Sequence, residues 1–281
     1  MAAMSVSESD LCAPANAQRK LSHLRVIQFK GIEARAFLQT QLSSDLHQLN
    51  PERPQFTTWC KANGRALTLG WLFDAGASLL WFVPSANAEL VTSQISIYKL
   101  RTKVQITLLQ DWVIDSGEFK LPDGRSIGFS DAVLEPEDSS NSWILADIMQ
   151  FWPTLGGNDR FLPQMLGIER LGGLSLKKGC FPGQEVIARV HYKGEVKRML
   201  ARYLEIPGED AGQIAGENHG ETSAPSSGTT ADFELVQSAI DAENFLNVLA
   251  VVKKPAPELI RLELQGQQRT LQRQREVNAP N

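Results

Sequence analysis

The stretch HLRVIQFKGIEARAFLQTQLSSDLHQLN, residues 23–50, changes its hydrophobic period in the middle. Its first part alternates, with Ile27 and Phe29 on one face, the pattern of a half-buried strand. From Ile32 the apolar residues Leu38, Leu42, Leu46 and Leu49 recur at helical spacing, until PERP at 51–54 stops the element. Working outward, QFTTWCKANGRALTLGWLF (55–73) holds two β-rich runs around KANGR, where Asn63 and Gly64 suit a hairpin turn. SLLWFVP (78–84) reads as a further strand. SANAELVTSQISIYKL (85–100) returns to helical spacing at Val91, Ile95 and Tyr98, and KVQITLL (103–109) alternates again through Val104, Ile106 and Leu108. The order β, α, β, β, β, α, β predicts a split βαβ, ferredoxin-like half over residues 21–110, with one extra strand and its helices on one face of an antiparallel sheet.

The remainder is patterned differently. DWVIDSGEFKLPDGRSIGFSDAVLEPEDSSNS (111–142) carries turn signals and short apolar runs, so 111–194 is expected to be a reduced second half. VKRMLARYLEI, DFELVQSAI and NFLNVLAVVKK are strand-like and separated by polar loops, which predicts a small antiparallel β-barrel over 195–262. Residues 1–20 read as a flexible arm and 263–281 as a Gln-rich polar tail. The fold class expected is α+β.

Composition narrows the chemistry. The chain has 281 residues, 42% of them hydrophobic, enough for real cores. Cys12, Cys60 and Cys180 are too few and too scattered for a disulfide framework or a four-ligand zinc site, which suggests a reducing compartment. The N-terminus lacks the basic start and apolar core of a secretory signal, and no apolar run approaches the roughly 18 residues of a membrane span. A cytoplasmic protein without membrane contact is expected. His23, His47, His191 and His219 show no metal-ligand spacing, so no metal site is expected. Phosphate-loop and nucleophile-elbow motifs are absent. The formal net charge of −4 argues against indiscriminate nucleic-acid binding and against DNA as a partner. Between Ser175 and Tyr203, however, Lys177, Lys178, Arg189, Lys193, Lys197, Arg198 and Arg202 face only Glu185 and Glu195, a basic window able to meet a polyanion.

That window contains LKKGCFPGQEVIAR (176–189). Cys180 stands just ahead of the helical run GQEVIARV with Lys177 and Lys178 beside it, and a helix N-terminus and ammonium charge both favour a thiolate. A small buried packing residue is the plainer role for an isolated cysteine. Gly179 and Gly183 are expected to allow backbone angles or close approaches that a Cβ would hinder. Glu185, in the first helical turn, is expected to hold the loop by accepting free N–H groups.

The segment FLPQMLGIERLGGLSLKKGCFPGQEVIARVHYKGEVKRML closely resembles the signature of the YgfZ-type folate-binding proteins, K-G-C-Y/F-x-G-Q-E followed by a basic segment. GIEARAFLQTQLSSDLHQL and CKANGRALTLGWLF resemble other segments of that family more loosely, and about two thirds of the chain is covered. The family is similar in fold to the aminomethyltransferase (T-protein) of the glycine cleavage system. The resemblance implies two ferredoxin-like halves and a C-terminal barrel around a tetrahydrofolate site. It also implies a role beside iron-sulfur enzymes such as tRNA methylthiotransferase. Lys178, Gly179, Cys180, Gly183, Gln184 and Glu185 carry the signature, with Cys180 the working thiol and Lys178 beside it. Trp143 matches a tryptophan set against folate, and Arg189 and Lys178 are candidates for the folate glutamate tail.

Two positions depart from the T-protein pattern. Thr68 stands where the transferase has its catalytic aspartate, and Met149 where T-protein-like members carry a pterin-pairing glutamate. A folate-binding accessory protein is therefore the leading expectation. A one-carbon transferase is the first alternative and a tRNA-binding module, with weak tRNA contact, the second.

Overall fold

The computed structural model describes residues 19–131, 138–157, 159–206, 233–264 and 267–274. Cys12, His219, nearly all of the arm and the last residues of the tail lie outside them. The first part runs β1 (Leu24–Lys30), α1 (Ala34–Gln41), β2 (Gln55–Cys60), β3 (Ala66–Asp74), β4 (Ser78–Pro84), α2 (Ser85–Ile97) and β5 (Gln105–Leu108). The strands form one antiparallel sheet in the order β2-β3-β4-β1-β5. Ile27, Phe29, Trp81 and Val83 pack on one face against α1 and α2 residues such as Phe37, Leu38 and Val91.

The helix read from Ile32 to Asn50 is shorter than its leucine spacing predicts. α1 ends at Gln41, and Leu46–Gln48 is a separate single turn capped by the Asp45 carboxylate, which accepts from His47 N. The break falls at Ser43 and Ser44, which are drawn to β2 instead: Ser43 N donates to Thr58 O at 3.0 Å, and Thr58 N donates to Ser43 Oγ at 3.2 Å. Ser43 Oγ donates to Gly173 O at 2.5 Å, and Ser44 Oγ donates to Thr57 Oγ1 at 2.8 Å. All four leucines are buried nonetheless. The apolar pattern was set by the core and not by one continuous helix.

The opposite face of the sheet is also covered. β6 (Trp112–Lys120) and β7 (Ser126–Ser130) form a hairpin, followed by α3 (Ser140–Met149). Val113, Phe119, Trp143 and Trp152 pack there against Val26, Phe73 and Phe82. Being covered on both sides, β2 and most of β3 and β4 are buried along their length.

After α4 (Gln184–Lys193) come β8 (Arg198–Glu205), β9 (Phe233–Ile240), β10 (Leu246–Lys253), β11 (Leu259–Leu264) and β12 (Gln267–Gln274). They form an antiparallel sheet in the order β11-β12-β8-β10-β9, so the small antiparallel β-barrel expected takes the form of a curled half-barrel. Val248, Ala250 and Val252 of β10 face this sheet's own core with Tyr203 and Leu271. Leu249 and Val251 turn the other way, to Phe56, Ile148 and Leu166. β12 lies within the stretch expected to be a polar tail. It pairs on both sides, and its arginines find partners: Arg269 bridges Glu205 at 2.8 Å, and Arg273 donates to Ala256 O at 2.8 Å. Backbone pairing and these contacts compensate for its weak apolar alternation.

Candidate functional site

The signature segment forms a loop clamped at two points. Lys178 is the first. Its side chain is buried and Nζ donates to Leu42 O at 2.5 Å and Ser44 O at 2.8 Å, the carbonyls left open where α1 breaks. Burial pulls its amine down to about 8, opposed by the charge of Asp45. Lys178 is thus an internal strut. It is not free to receive a folate tail, and its ammonium is spent on carbonyls rather than on the Cys180 thiol. Two of its N–H donors are satisfied in this way, which offsets part of the cost of burying the amine.

The second clamp is glycine against glycine. Gly183, at φ 78°, is the N-cap of α4 and lies on the turn after β2. A Cβ on Gly183 would sit 2.6 Å from Gly64 Cα and 2.7 Å from Gly64 N, and nearer still to Lys61 O. Gly64, the glycine of KANGR, also has φ 78° and faces Val186. Phe181 and Ile187 fill the space beneath with Cys60.

Held this way, the loop presents Cys180 to solvent and keeps Cys60 buried. Burial drives the Cys60 thiol up to about 12. Gly179 differs from expectation, since it has open space where a Cβ would project and no positive φ. Glu185 lies in the first turn of α4 as expected, but it is exposed and no side chain caps that helix. The loop is held instead by Lys178 and Gly183. Gln184 opens α4, and Arg189 is exposed on its outer side with Lys193 and Tyr192. Among the described residues no three His, Cys, Asp or Glu side chains gather as a metal-binding group.

Trp143 belongs to a second place. A narrow cleft of about 30 Å³, room for a water or two, lies on the sheet face away from α1 and α2, walled by Leu24, Trp71, Phe82, Trp143, Asp147 and Trp152. No residue of the signature loop lines it. Trp71 and Trp152 meet edge to face at 4.8 Å. The Arg125 guanidinium lies 4.2 Å from the Trp143 ring centre and 5.3 Å from that of Trp152. Its Nη1 donates to Trp143 O at 3.1 Å, and its Nη2 to Asp147 Oδ1 at 2.6 Å. Burial pushes the Asp147 carboxyl up to about 7, against the pull of Arg125 and helped by Asp123.

Asp147 was missed in the sequence because it is embedded in the apolar run WILADIMQFWP. The signal was there: a carboxylate four residues after Trp143, hence on the same helical face. Met149, at the position matched to the family glutamate, is half exposed. Its neighbour two residues back supplies the carboxylate in the cleft. Asp147 Oδ2 has no protein partner among the described residues and two indoles stand beside it, but the cleft as it stands is too narrow for a ring system. Thr68 is fully buried, its Oγ1 3.3 Å from Asn87 Oδ1. That position holds no acid or base.

No family model matches the chain. It is 25% identical over 239 residues to the tRNA-modifying protein YgfZ of Cronobacter sakazakii, covering 67% of this chain and 73% of that protein. It is 25% identical over 224 residues to the tRNA-modifying protein YgfZ of Colwellia psychrerythraea, covering 64% and 69%. Among solved structures, glycine cleavage system aminomethyltransferase T from Bartonella henselae aligns with a TM-score of 0.62 at 12% identity, over 91% of this chain and 84% of that one. Among the described residues no helix is long and apolar enough to cross a membrane. In sequence the chain resembles the tRNA-modifying YgfZ proteins over about two thirds of its length, and in fold it resembles aminomethyltransferase T.

Proposed function

We propose that this protein is a folate-binding accessory factor for iron-sulfur enzymes of tRNA modification, acting in the cytoplasm with Cys180 as its working thiol. The observation that carries the reading is the exposure of Cys180 on a loop fixed by a buried lysine and a glycine contact. A merely structural cysteine needs no such support, and Cys60 shows what one looks like. On this reading a tetrahydrofolate pterin parts the walls of the narrow cleft and lies against Trp143 and Trp152. Its ring N–H donors meet Asp147 Oδ2, which takes the part of the family glutamate missing at Met149. The first sheet is read as the ferredoxin-like half, its strands β5-β1-β4-β3 extended by β2, and the β6–β7 hairpin with α3 as the reduced second half. Aminomethyl transfer is disfavoured by Thr68. The test is replacement of the native gene by a Cys180→Ser variant. Normal folding with loss of methylthiolated tRNA is expected, and full rescue would reduce the loop to a structural turn.

A second reading, contact with tRNA itself, is favoured by the outer side of α4, where Tyr192 is exposed beside Arg189, Lys193 and the nearby Lys197. An aromatic ring among cations suits single-stranded RNA. Gel shifts should then weaken steeply with salt and be lost in Arg189→Glu/Lys193→Glu. A salt-independent or unchanged shift would remove this reading.

A further inference from the structure

Ile32, Leu100, Ile97 and Tyr98 are large apolar residues that are 90%, 87%, 71% and 52% exposed. The fold gathers them where the start of α1 meets the end of α2. Glu33 N donates to Lys103 O at 3.4 Å, and Lys103 N donates back to Glu33 Oε2 at 2.5 Å. Glu33 also shares the wall of an open hollow with Leu100, Arg101 and Thr102. Tyr98 is anchored on its inner side, edge to face with Trp59 at 6.1 Å.

Leu100 has φ 44°, a left-handed conformation in which a leucine is strained, and its side chain has no packing to gain there. Close to the four apolar residues in sequence stand Lys30, Lys99, Arg101 and Lys103, none of them in an ion pair among the described residues. The Glu33 carboxylate beside them is engaged by Lys103 N–H. Single exposed apolar residues need no explanation. Four together, with uncompensated cations close in sequence in a chain of net charge −4, do.

We propose that this patch is a docking surface for an acidic amphipathic helix of a partner protein, whose apolar row would cover Ile32 and Leu100 while its carboxylates meet these cations. The open hollow beside Leu100 gives a partner side chain a shallow seat. The net acidic chain disfavours an anionic membrane. This inference does not depend on folate or on Cys180.

The test uses the full chain and a fluorescein-labelled 18-residue helical peptide with leucine at positions i, i+3, i+4 and i+7 and glutamate on the other face. A lysine-faced counterpart and phosphatidylcholine–phosphatidylglycerol vesicles run alongside. Saturable binding of the acidic peptide is expected, falling several-fold between low and moderate salt. It should weaken at least tenfold in Ile32→Glu/Leu100→Glu and in Lys99→Glu/Arg101→Glu, both with an unchanged melting temperature. Absence of saturable binding, equal binding of the lysine peptide, or patch-dependent binding to vesicles in place of the acidic peptide would overturn the proposal.

Discussion

Gly183→Ala tests the clamp beneath the signature loop. Alanine at φ 78° costs about 1–2 kcal/mol for its left-handed backbone alone. Its methyl would also lie 2.6 Å and 2.7 Å from two backbone atoms of Gly64, with Lys61 O nearer still. Backbone cannot rotate away as a side chain can, so the two turns must part, at roughly the 1–3 kcal/mol of an overpacked site. The sum is about 2–5 kcal/mol, or a fall in Tm of roughly 5–15 °C. Parting the turns also unroofs Cys60, which packs with Phe181 and Ile187 just below. Calorimetry and iodoacetamide labelling read by mass spectrometry give the two signals, with faster alkylation of Cys60 expected in the variant. Gly179→Ala is the control, since that position has open space and should leave Tm within about 1 °C. Wild-type stability and a still protected Cys60 in Gly183→Ala would refute the clamp.

In the native protein Cys180 should react with iodoacetamide at neutral pH much faster than Cys60, because one is exposed and the other buried with its thiol driven up to about 12; equal rates would contradict this placement. Leu100→Gly relieves a strained backbone at an exposed site and should raise stability by about 1 kcal/mol, checked by urea unfolding; a loss of stability would show that the leucine side chain packs after all. Stability should also carry a hidden pH balance. His23 has both ring nitrogens buried without partners and is held down at about 4 by burial, with Asp138 opposing and Arg125 assisting. Between about 6.5 and 4 the unfolded state therefore binds the extra proton, and stability is lost as pH falls. Asp147, raised to about 7, does the reverse and gains stability on acidification over much the same range. Asp147→Asn should then unmask a loss of up to about 3 kcal/mol on going from pH 6.5 to 4, and a flat profile in that variant would refute the balance.

Much of the first half was legible because its apolar residues follow strand and helix periods that the core enforces. The leucines from Leu38 to Leu49 illustrate the limit, since all four are buried but Ser43 and Ser44 break the helix between them. β12 was illegible because Arg269 and Arg273 are satisfied by partners distant in sequence, which a reading of polarity cannot see. At the candidate site, Cys180 and Gly183 stood out by motif and by spacing. Lys178 was read as a cation for the Cys180 thiol and for a folate tail because its carbonyl partners are more than 130 positions away. Asp147 was hidden by apolar neighbours, and only the fold shows that it and Trp143 share a wall with Trp71 and Leu24.

The central claim is most directly tested by titrating tetrahydrofolate into the protein in a calorimeter at pH 8, where the Asp147 carboxyl is ionised. One site is predicted, with affinity weaker at pH 6. It should fall about 10- to 100-fold in Asp147→Asn, the worth of a charge-assisted hydrogen bond, and clearly in Trp143→Ala. Absence of binding by the native protein, or binding that neither substitution alters, would contradict the account.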